Sequence, residues 1–260
     1  MRVFVTGAGG FIGGHLCDGL RRRGHEVATA MPGAEAVVHL ANIAHAKAPE
    51  AELRRVNVDG TLARAREAAA ARVRRFVYLS SSLATDAHDR YGRSKLAAEQ
   101  GLGALQGIEI AILRPPLVYG PRVKANFLAL MRAVAHGVPL PLASIDNRRS
   151  VVYVGNLVDA IARCLESPQA AGKTLGVTDG APVSVPDLCR RIGEALGRPA
   201  RLFAFPPALL EMAPALRRLT RSLTVDDSAL RDLGWRPPYT MEQGLQETAR
   251  WYRGDSQQGH

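Results

Sequence analysis

Tyr91 and Lys95, four residues apart in Tyr91-Gly92-Arg93-Ser94-Lys95, are the pairing in this chain with the clearest chemical use. On a helix the two share one face, a turn apart. A free phenol titrates near ~10, and a neighbouring ammonium favours its phenolate, so the pair forms a general acid or base usable near neutrality. Lys47, Lys95, Lys124 and Lys173 are the lysines of the whole chain, so this spacing is an uncommon accident. The bland alternative is an exposed helix pair. Just upstream, Leu79 is followed by Ser80-Ser81-Ser82, whose hydroxyls can hydrogen-bond a carbonyl or an alcohol.

The second group is Thr6-Gly7-Ala8-Gly9-Gly10-Phe11-Ile12-Gly13, between a short apolar run (Arg2 to Val5) and a helical spacing of Ile12, Leu16 and Leu20. A helix N-terminus carries unpaired N–H groups and partial positive charge, and a loop without Cβ atoms lets a pyrophosphate approach them. Because Ile12 stands where G-x-G-x-x-G counted from Gly7 needs its last glycine, the glycines that fit are Gly7, Gly10 and Gly13.

The elements that must position these groups alternate. Strands are expected over residues 25–30, 35–41, 75–80, 108–114, 151–154 and 174–177, after the opening strand. Helices are expected over 57–71, 91–105, 126–136 and 156–165, then a capped helix from Ser184 to Gly197 and a last one over 241–252. Between residues 30 and 35 there is no room for a helix. This rhythm predicts an α/β fold, a Rossmann-type doubly wound parallel sheet, shortened and lacking the third strand, with a smaller C-terminal α/β substrate domain. Ligands of such sheets bind at the carboxyl ends of the strands, where the serines lie. The dinucleotide domain is placed at 1–118 plus about 150–178, the substrate domain at 119–149 and 179–253, and a disordered tail at 254–260.

The 260 residues suffice for a full core, and a 47% apolar composition is that of a globular chain. No run reaches membrane-spanning length, and the opening goes straight into a strand and glycine loop without a signal-peptide pattern, so a cytoplasmic protein with no membrane partner is expected. Cys17, Cys164 and Cys189 form no metal-like cluster and read as buried thiols; no metal is expected. The net charge of +10 comes from scattered arginines without an aromatic-interleaved patch, so no nucleic-acid partner is expected either.

Taken in order, the glycine loop, His39-Leu40-Ala41, Asn57-Val58-Asp59-Gly60-Thr61, Leu79-Ser80-Ser81, Tyr91-x-x-x-Lys95 and the stretch from Leu113-Arg114-Pro115-Pro116 to Gly120-Pro121 resemble the extended short-chain dehydrogenase/reductases. That family includes nicotinamide-dependent epimerases, dehydratases and reductases of nucleotide sugars. The resemblance implies that Gly7, Gly10 and Gly13, with Phe11 and Ile12, hold the cofactor pyrophosphate, and that Leu40, Ala41, Asn57 and Pro115 line the cofactor. It makes Tyr91 the acid/base and Lys95 the group that binds the nicotinamide ribose and lowers the tyrosine pKa. Ser81 becomes the substrate-polarising hydroxyl with Ser82 in reserve, and Asn126 and Arg149 become contacts to the substrate diphosphate. NAD or NADP is implied, NAD being favoured, with a UDP-sugar as substrate and a homodimer as assembly. Lys124-Ala125-Asn126-Phe127, Asn147-Arg148-Arg149-Ser150 and Tyr153-Val154-Gly155-Asn156 are similar to a bacterial subgroup that makes N-acetylated deoxy-sugars for surface polysaccharides. Within it, 4-keto reduction is favoured over 4-epimerisation.

Two departures stand against the family pattern. The second strand ends Ala28-Thr29-Ala30-Met31, without the acid that grips an adenosine ribose or an arginine for a 2′-phosphate. Only nine residues separate Ser81 from Tyr91, so the cover over the substrate is thin. A binding protein without useful turnover is the alternative these departures favour.

Overall fold

The computed structural model describes residues 1–43, 48–212 and 217–258. The chain divides into two compact units. The first comprises Met1–Pro116, Leu157–Val177 and Asp226–Arg236, and the second Leu117–Asn156, Thr178–Val225 and Pro237–His260.

The first unit is built on a six-stranded sheet in the order β2-β1-β3-β4-β5-β8. Its strands are β1 (Arg2–Thr6), β2 (Glu26–Ala28), β3 (Ala36–His39), β4 (Arg75–Leu79), β5 (Glu109–Arg114) and β8 (Thr174–Gly176). Every pairing is parallel. β3 and β4 are buried along their whole length, which is why Ala36-Val37-Val38 and Phe76-Val77-Tyr78-Leu79 read as continuous rather than alternating apolar runs. The starting charge of β4 is accommodated by pairing: the buried Arg75 guanidinium donates to the Glu109 carboxylate and to the carbonyls of Cys164 and Ser167.

Among the described residues the sheet ends at β2, without the third strand of a full doubly wound half. The seven residues between β2 and β3 carry no helix. Met31 takes over the core contacts there: only 3% exposed, it belongs to the cluster of Val37, Ala65, Phe76 and Tyr78. α1 (Phe11–Arg22) and α7 (Val154–Glu166) approach closely at Gly19, where a Cβ would lie 2.4 Å from a Val158 methyl. The segment with α11 (Ser228–Asp232) is tied to α7 by the Trp235 indole, which donates to Asp159 at 2.9 Å.

The second unit holds a two-stranded parallel pair, β6 (Leu117–Tyr119) with β7 (Val151–Tyr153). Around it lie α6 (Ala125–Ala135), α8 (Val185–Leu196), α9 (Pro207–Glu211), α10 (Arg217–Thr220) and α12 (Met241–Gln258). Tyr119 stacks on Phe127 with ring centroids 5.2 Å apart. Asp179 accepts from the Tyr119 hydroxyl (2.7 Å), the Tyr153 amide (2.8 Å) and the Asn156 amide (2.7 Å). Burial pushes its carboxyl pKa up while these bonds oppose the shift.

Three expectations need correcting. Asn57 does not open a helix: α2 (Glu50–Leu53) precedes it, Arg54–Gly60 is a π-helical turn, and α3 (Thr61–Ala70) follows. β6 has no counterpart among the expected strands, because a three-residue strand beside Pro115-Pro116 has no periodicity to show. The tail expected to be disordered from Gly254 continues α12 through Gln258, since one glycine costs only about 1 kcal/mol and no proline follows. Residues 259 and 260 lie outside the described residues.

Candidate active site

The glycine loop leads from β1 into α1. Gly10 caps the helix without any side-chain hydrogen bond, and no acid occupies the first turn. Gly7 has φ +72°, and a Cβ there would sit 3.0 Å from the Ala41 nitrogen; at Gly13 it would lie 2.1 Å from the Gly7 carbonyl oxygen. Residues 7–10 are exposed. An uncapped helix terminus that only glycines can approach suits a pyrophosphate, so this half of the site fits a dinucleotide. Phe11 and Ile12 begin α1 half-buried. Beyond β2, Thr29 and Ala30 are exposed and offer an adenosine ribose no carboxylate.

A buried polar chain fixes this loop. Thr6 sits 2.9 Å from His39 Nδ1 and accepts from the amides of Leu40 and Ala41 at 3.2 Å each. His39 Nε2 lies 3.2 Å from the Thr61 hydroxyl, which donates to the Asn57 carbonyl at 2.8 Å. Since the Thr61 proton is used there, Nε2 of His39 donates and Nδ1 accepts from Thr6. Burial and the nearby Lys95 charge hold the imidazole down at about 4, so it is neutral at neutral pH. The carboxyl ends of β1 and β3 and the π-turn are thereby locked together, which brings Leu40 and Ala41 against Gly7.

Asn57 extends the lock. It is fully buried; its amide donates to the Ile43 carbonyl (3.1 Å) and Ser94 (3.1 Å) and accepts from the Ile43 amide (2.8 Å). These partners occupy the side chain, whose structural part is to support α5.

α5 (Arg90–Gly103) starts at Asp89, whose carboxylate accepts from the Gly92 amide at 2.7 Å. Tyr91 lies half-buried in its first turn. Lys95, a turn later, is fully buried and donates to the Leu79 carbonyl at 2.7 Å. Its Nζ is 4.6 Å from the Tyr78 ring centroid and 5.8 Å from that of Tyr91. Burial lowers the Lys95 pKa to about 7, with Glu99 opposing. The Tyr91 phenol is shifted upward by burial and by Asp89. The expected lowering by Lys95 does not operate in this state, because the ammonium points at Leu79 and burial weakens its charge.

The three serines differ. The Ser80 hydroxyl donates to Glu99, which also pairs with Arg114. Ser82 is buried and its amide donates to the Pro115 carbonyl at 2.9 Å. Ser81 is half-buried and accepts from the Leu83 amide at 3.2 Å, leaving its hydroxyl proton to donate. The short connection forms α4 (Leu83–Asp86), which packs so closely on α5 that a Cβ at Gly92 would meet the Leu83 carbonyl oxygen at 2.3 Å.

Ser81, Tyr91, Lys95, Asn57, Pro115 and the glycine loop therefore all belong to the first unit. Asn126 and Arg149 belong to the second: Asn126 is exposed in the first turn of α6, and the Arg149 guanidinium donates to the Arg221 carbonyl at 2.9 Å. In the sequence, Thr6, His39 and Thr61 stand only as members of motifs, without a role of their own, and Glu99 not at all. Their signal was available as polar residues set within or just beyond apolar runs. The three cysteines are buried, and burial pushes the thiols of Cys164 and Cys189 up to about 12.

Comparison with known proteins agrees with this geometry. Residues 28–177 match the model of the NAD dependent epimerase/dehydratase family. A UDP-glucose 4-epimerase of Vibrio cholerae is 39% identical over 247 residues, covering 82% of this chain and 75% of that protein. A UDP-2-acetamido-2,6-beta-L-arabino-hexul-4-ose reductase of Pseudomonas aeruginosa is 26% identical, covering 75% of this chain and 57% of the relative. Among solved structures, that of RMD from Pseudomonas aeruginosa complexed with NADPH superposes with a TM-score of 0.79 at 23% identity, covering 97% of this chain and 99% of the other. The chain belongs to the NAD dependent epimerase/dehydratase family.

Proposed function

We propose that this chain is an NAD(P)-dependent oxidoreductase acting at C4 of a UDP-linked sugar, with 4-keto reduction of a deoxy-N-acetylhexosamine as its net reaction, in surface polysaccharide biosynthesis. The observation that carries the reading is the placement of Lys95 under the end of β4, with Tyr91 above it on the same face of α5 and Ser81 at the strand tip. We read the protein as a cytoplasmic homodimer that favours NAD.

A bound nicotinamide dinucleotide supplies hydride chemistry at its ring C4. The glycine loop would hold the pyrophosphate through backbone N–H groups, and Pro115 would flank the nicotinamide. Ser81 would donate its proton to the ketone oxygen and polarise the carbonyl. Tyr91, kept protonated by burial, would deliver a proton to that oxygen as the carbon accepts hydride. Lys95 beneath it would favour the phenolate left behind until solvent reprotonates it. Arg149, with its planar fork, and Asn126 would contact the diphosphate.

One feature supports reduction: the cover between Ser81 and Tyr91 is the short α4. Epimerisation must retain the ketone and turn it over inside a closed site, whereas a reductase takes up a ketone and releases an alcohol. Epimerisation is the second reading, supported by the Vibrio cholerae relative, and would use the same residues with Tyr91 acting first as base.

The test supplies purified protein with a UDP-4-keto-deoxy-HexNAc sugar and NADH or NADPH and follows the loss of reduced nicotinamide absorbance. Stoichiometric oxidation to product is expected, with Tyr91→Phe slower by about 10²-fold or more at unchanged dinucleotide affinity. Interconversion of UDP-sugar epimers without net dinucleotide consumption assigns the second reading instead.

A further inference from the structure

Glu99 is a buried carboxylate that the proposed reaction leaves unused, although it lies among the elements that carry the site. It sits one turn beyond Lys95 on α5 and is only 6% exposed. Its Oε1 accepts from the Ser80 hydroxyl and from Arg114 Nε at 3.0 Å, and its Oε2 accepts from the same Nε at 3.2 Å and from Arg114 Nη2. Both oxygens are engaged, and a guanidinium fork of this kind fixes orientation as well as distance.

Ser80 immediately precedes Ser81, and Arg114 immediately precedes Pro115. Lys95 donates to the Leu79 carbonyl, so Lys95 and Glu99, a turn apart, hold α5 to two successive residues at the end of β4. Pro115 has no N–H to donate to the ladder. The ends of β4 and β5 are joined instead by the Ser80 amide on the Leu113 carbonyl (2.8 Å), the Ser82 amide on the Pro115 carbonyl (2.9 Å) and the Glu99 bridge. Arg114 also reaches the Thr85 hydroxyl of α4 at 3.4 Å.

We propose that Glu99 is the positioning residue of this site, its carboxylate locking the Ser81 end of β4, the Pro115 end of β5 and the Tyr91 and Lys95 face of α5 into one geometry. This rests on the reaction proposed above, in which Ser81, Tyr91 and Lys95 serve one oxygen while Pro115 flanks the hydride donor. Burying the carboxylate costs desolvation that the ion pair need not offset, so stability alone does not account for it. Direction does: an error of about 1 Å between reacting groups costs on the order of 10²-fold in rate. The same carboxylate acts on Lys95 by charge, favouring its ammonium form. The other titratable groups around that ammonium are Tyr78 on β4, His39 on β3 and Tyr91 on α5.

The experiment has two arms, both on the whole chain. In the first, protein labelled with ¹³C at lysine Cε is titrated by NMR, the Lys95 signal being the one lost in Lys95→Met. Glu99→Gln is expected to move the Lys95 midpoint down by about half a unit or more, and Ser80→Ala, which keeps the carboxylate, to leave it in place. The second arm is steady-state kinetics with a UDP-4-keto-deoxy-HexNAc sugar and reduced dinucleotide. Glu99→Gln is expected to lower kcat about tenfold or more, with KM and dinucleotide affinity changed by less than about threefold. Arg114→Lys keeps the charge but loses the fork, and is expected to show the same split should Glu99→Gln fail to fold. The inference is overturned by a Lys95 midpoint that is the same in wild type and Glu99→Gln or is lowered as far by Ser80→Ala. It is also overturned by a kcat in Glu99→Gln or Arg114→Lys equal to that of wild type. A wild type that turns over no sugar nucleotide defeats the proposed reaction instead, and the Lys95 midpoint then decides the inference by itself.

Discussion

Lys95 donates to the carbonyl oxygen of Leu79 at 2.7 Å from a fully buried position, so the cation of the candidate site is anchored to the strand that ends in the serines. Burial that positions the ammonium also weakens it, to a pKa of about 7. The unfolded chain, with an ordinary lysine near ~10.4, binds more protons between these values, so stability rises with pH across that window and is lost as pH falls through 7. Thermal midpoints of wild type and Lys95→Met from pH 6 to 9.5, below tyrosine titration, are expected to show wild type gaining on the variant by the equivalent of about 2–4 kcal/mol. A gap that does not change with pH contradicts a desolvated ammonium.

Tyr78 lies beneath that ammonium, and its buried hydroxyl, with the Thr61 side chain nearby, makes no well-formed hydrogen bond among the described residues. An unpaired buried hydroxyl costs about 1–3 kcal/mol, so Tyr78→Phe is expected to stabilise the fold by about 1 kcal/mol in urea unfolding. Loss of stability of that size would mean the hydroxyl is satisfied.

His39 is neutral, accepts from Thr6 and has its pKa held at about 4. With an unfolded value near ~6.5, its contribution is complete above that pH and is lost as pH falls toward 4. Stability is expected to drop by about 3 kcal/mol over this interval beyond the loss seen in His39→Gln, as read by denaturant midpoints. Parallel pH profiles for the two proteins contradict the assigned tautomer and its network.

Gly13 faces backbone, with a virtual Cβ 2.1 Å from the Gly7 carbonyl oxygen, and backbone cannot move aside as a flexible side chain can. Gly13→Ala is expected to weaken dinucleotide binding about tenfold or more and to destabilise the first unit by about 1–3 kcal/mol, measured by titration and thermal unfolding. Gly9→Ala, with nothing within 4 Å of its Cβ, serves as the control and is expected to fold as wild type does.

What could be read from the sequence was local. The glycine loop, the Tyr91 and Lys95 pair and the strand of Phe76 to Leu79 are short patterns whose chemistry and periodicity lie within a few residues. The missing third strand was legible as well, since no helix fits between residues 30 and 35. Contacts across long separations were not legible. Met31 fills the core only because the crossover carries it there. Asn57 sits in a π-turn rather than at a helix start because its amide is held by Ile43 and Ser94. The upward shift of Tyr91 reverses the expectation from spacing alone: Lys95 is near in sequence, yet its proton points at Leu79.

Calorimetric titration of the purified wild-type chain with NADH, NADPH and a UDP-sugar tests most directly whether this is a dinucleotide-dependent enzyme. One of the two dinucleotides is expected to bind, with affinity reduced in Gly13→Ala and retained in Tyr91→Phe. Binding of the UDP-sugar with no binding of either dinucleotide would contradict the account and leave a nucleotide-sugar binding protein.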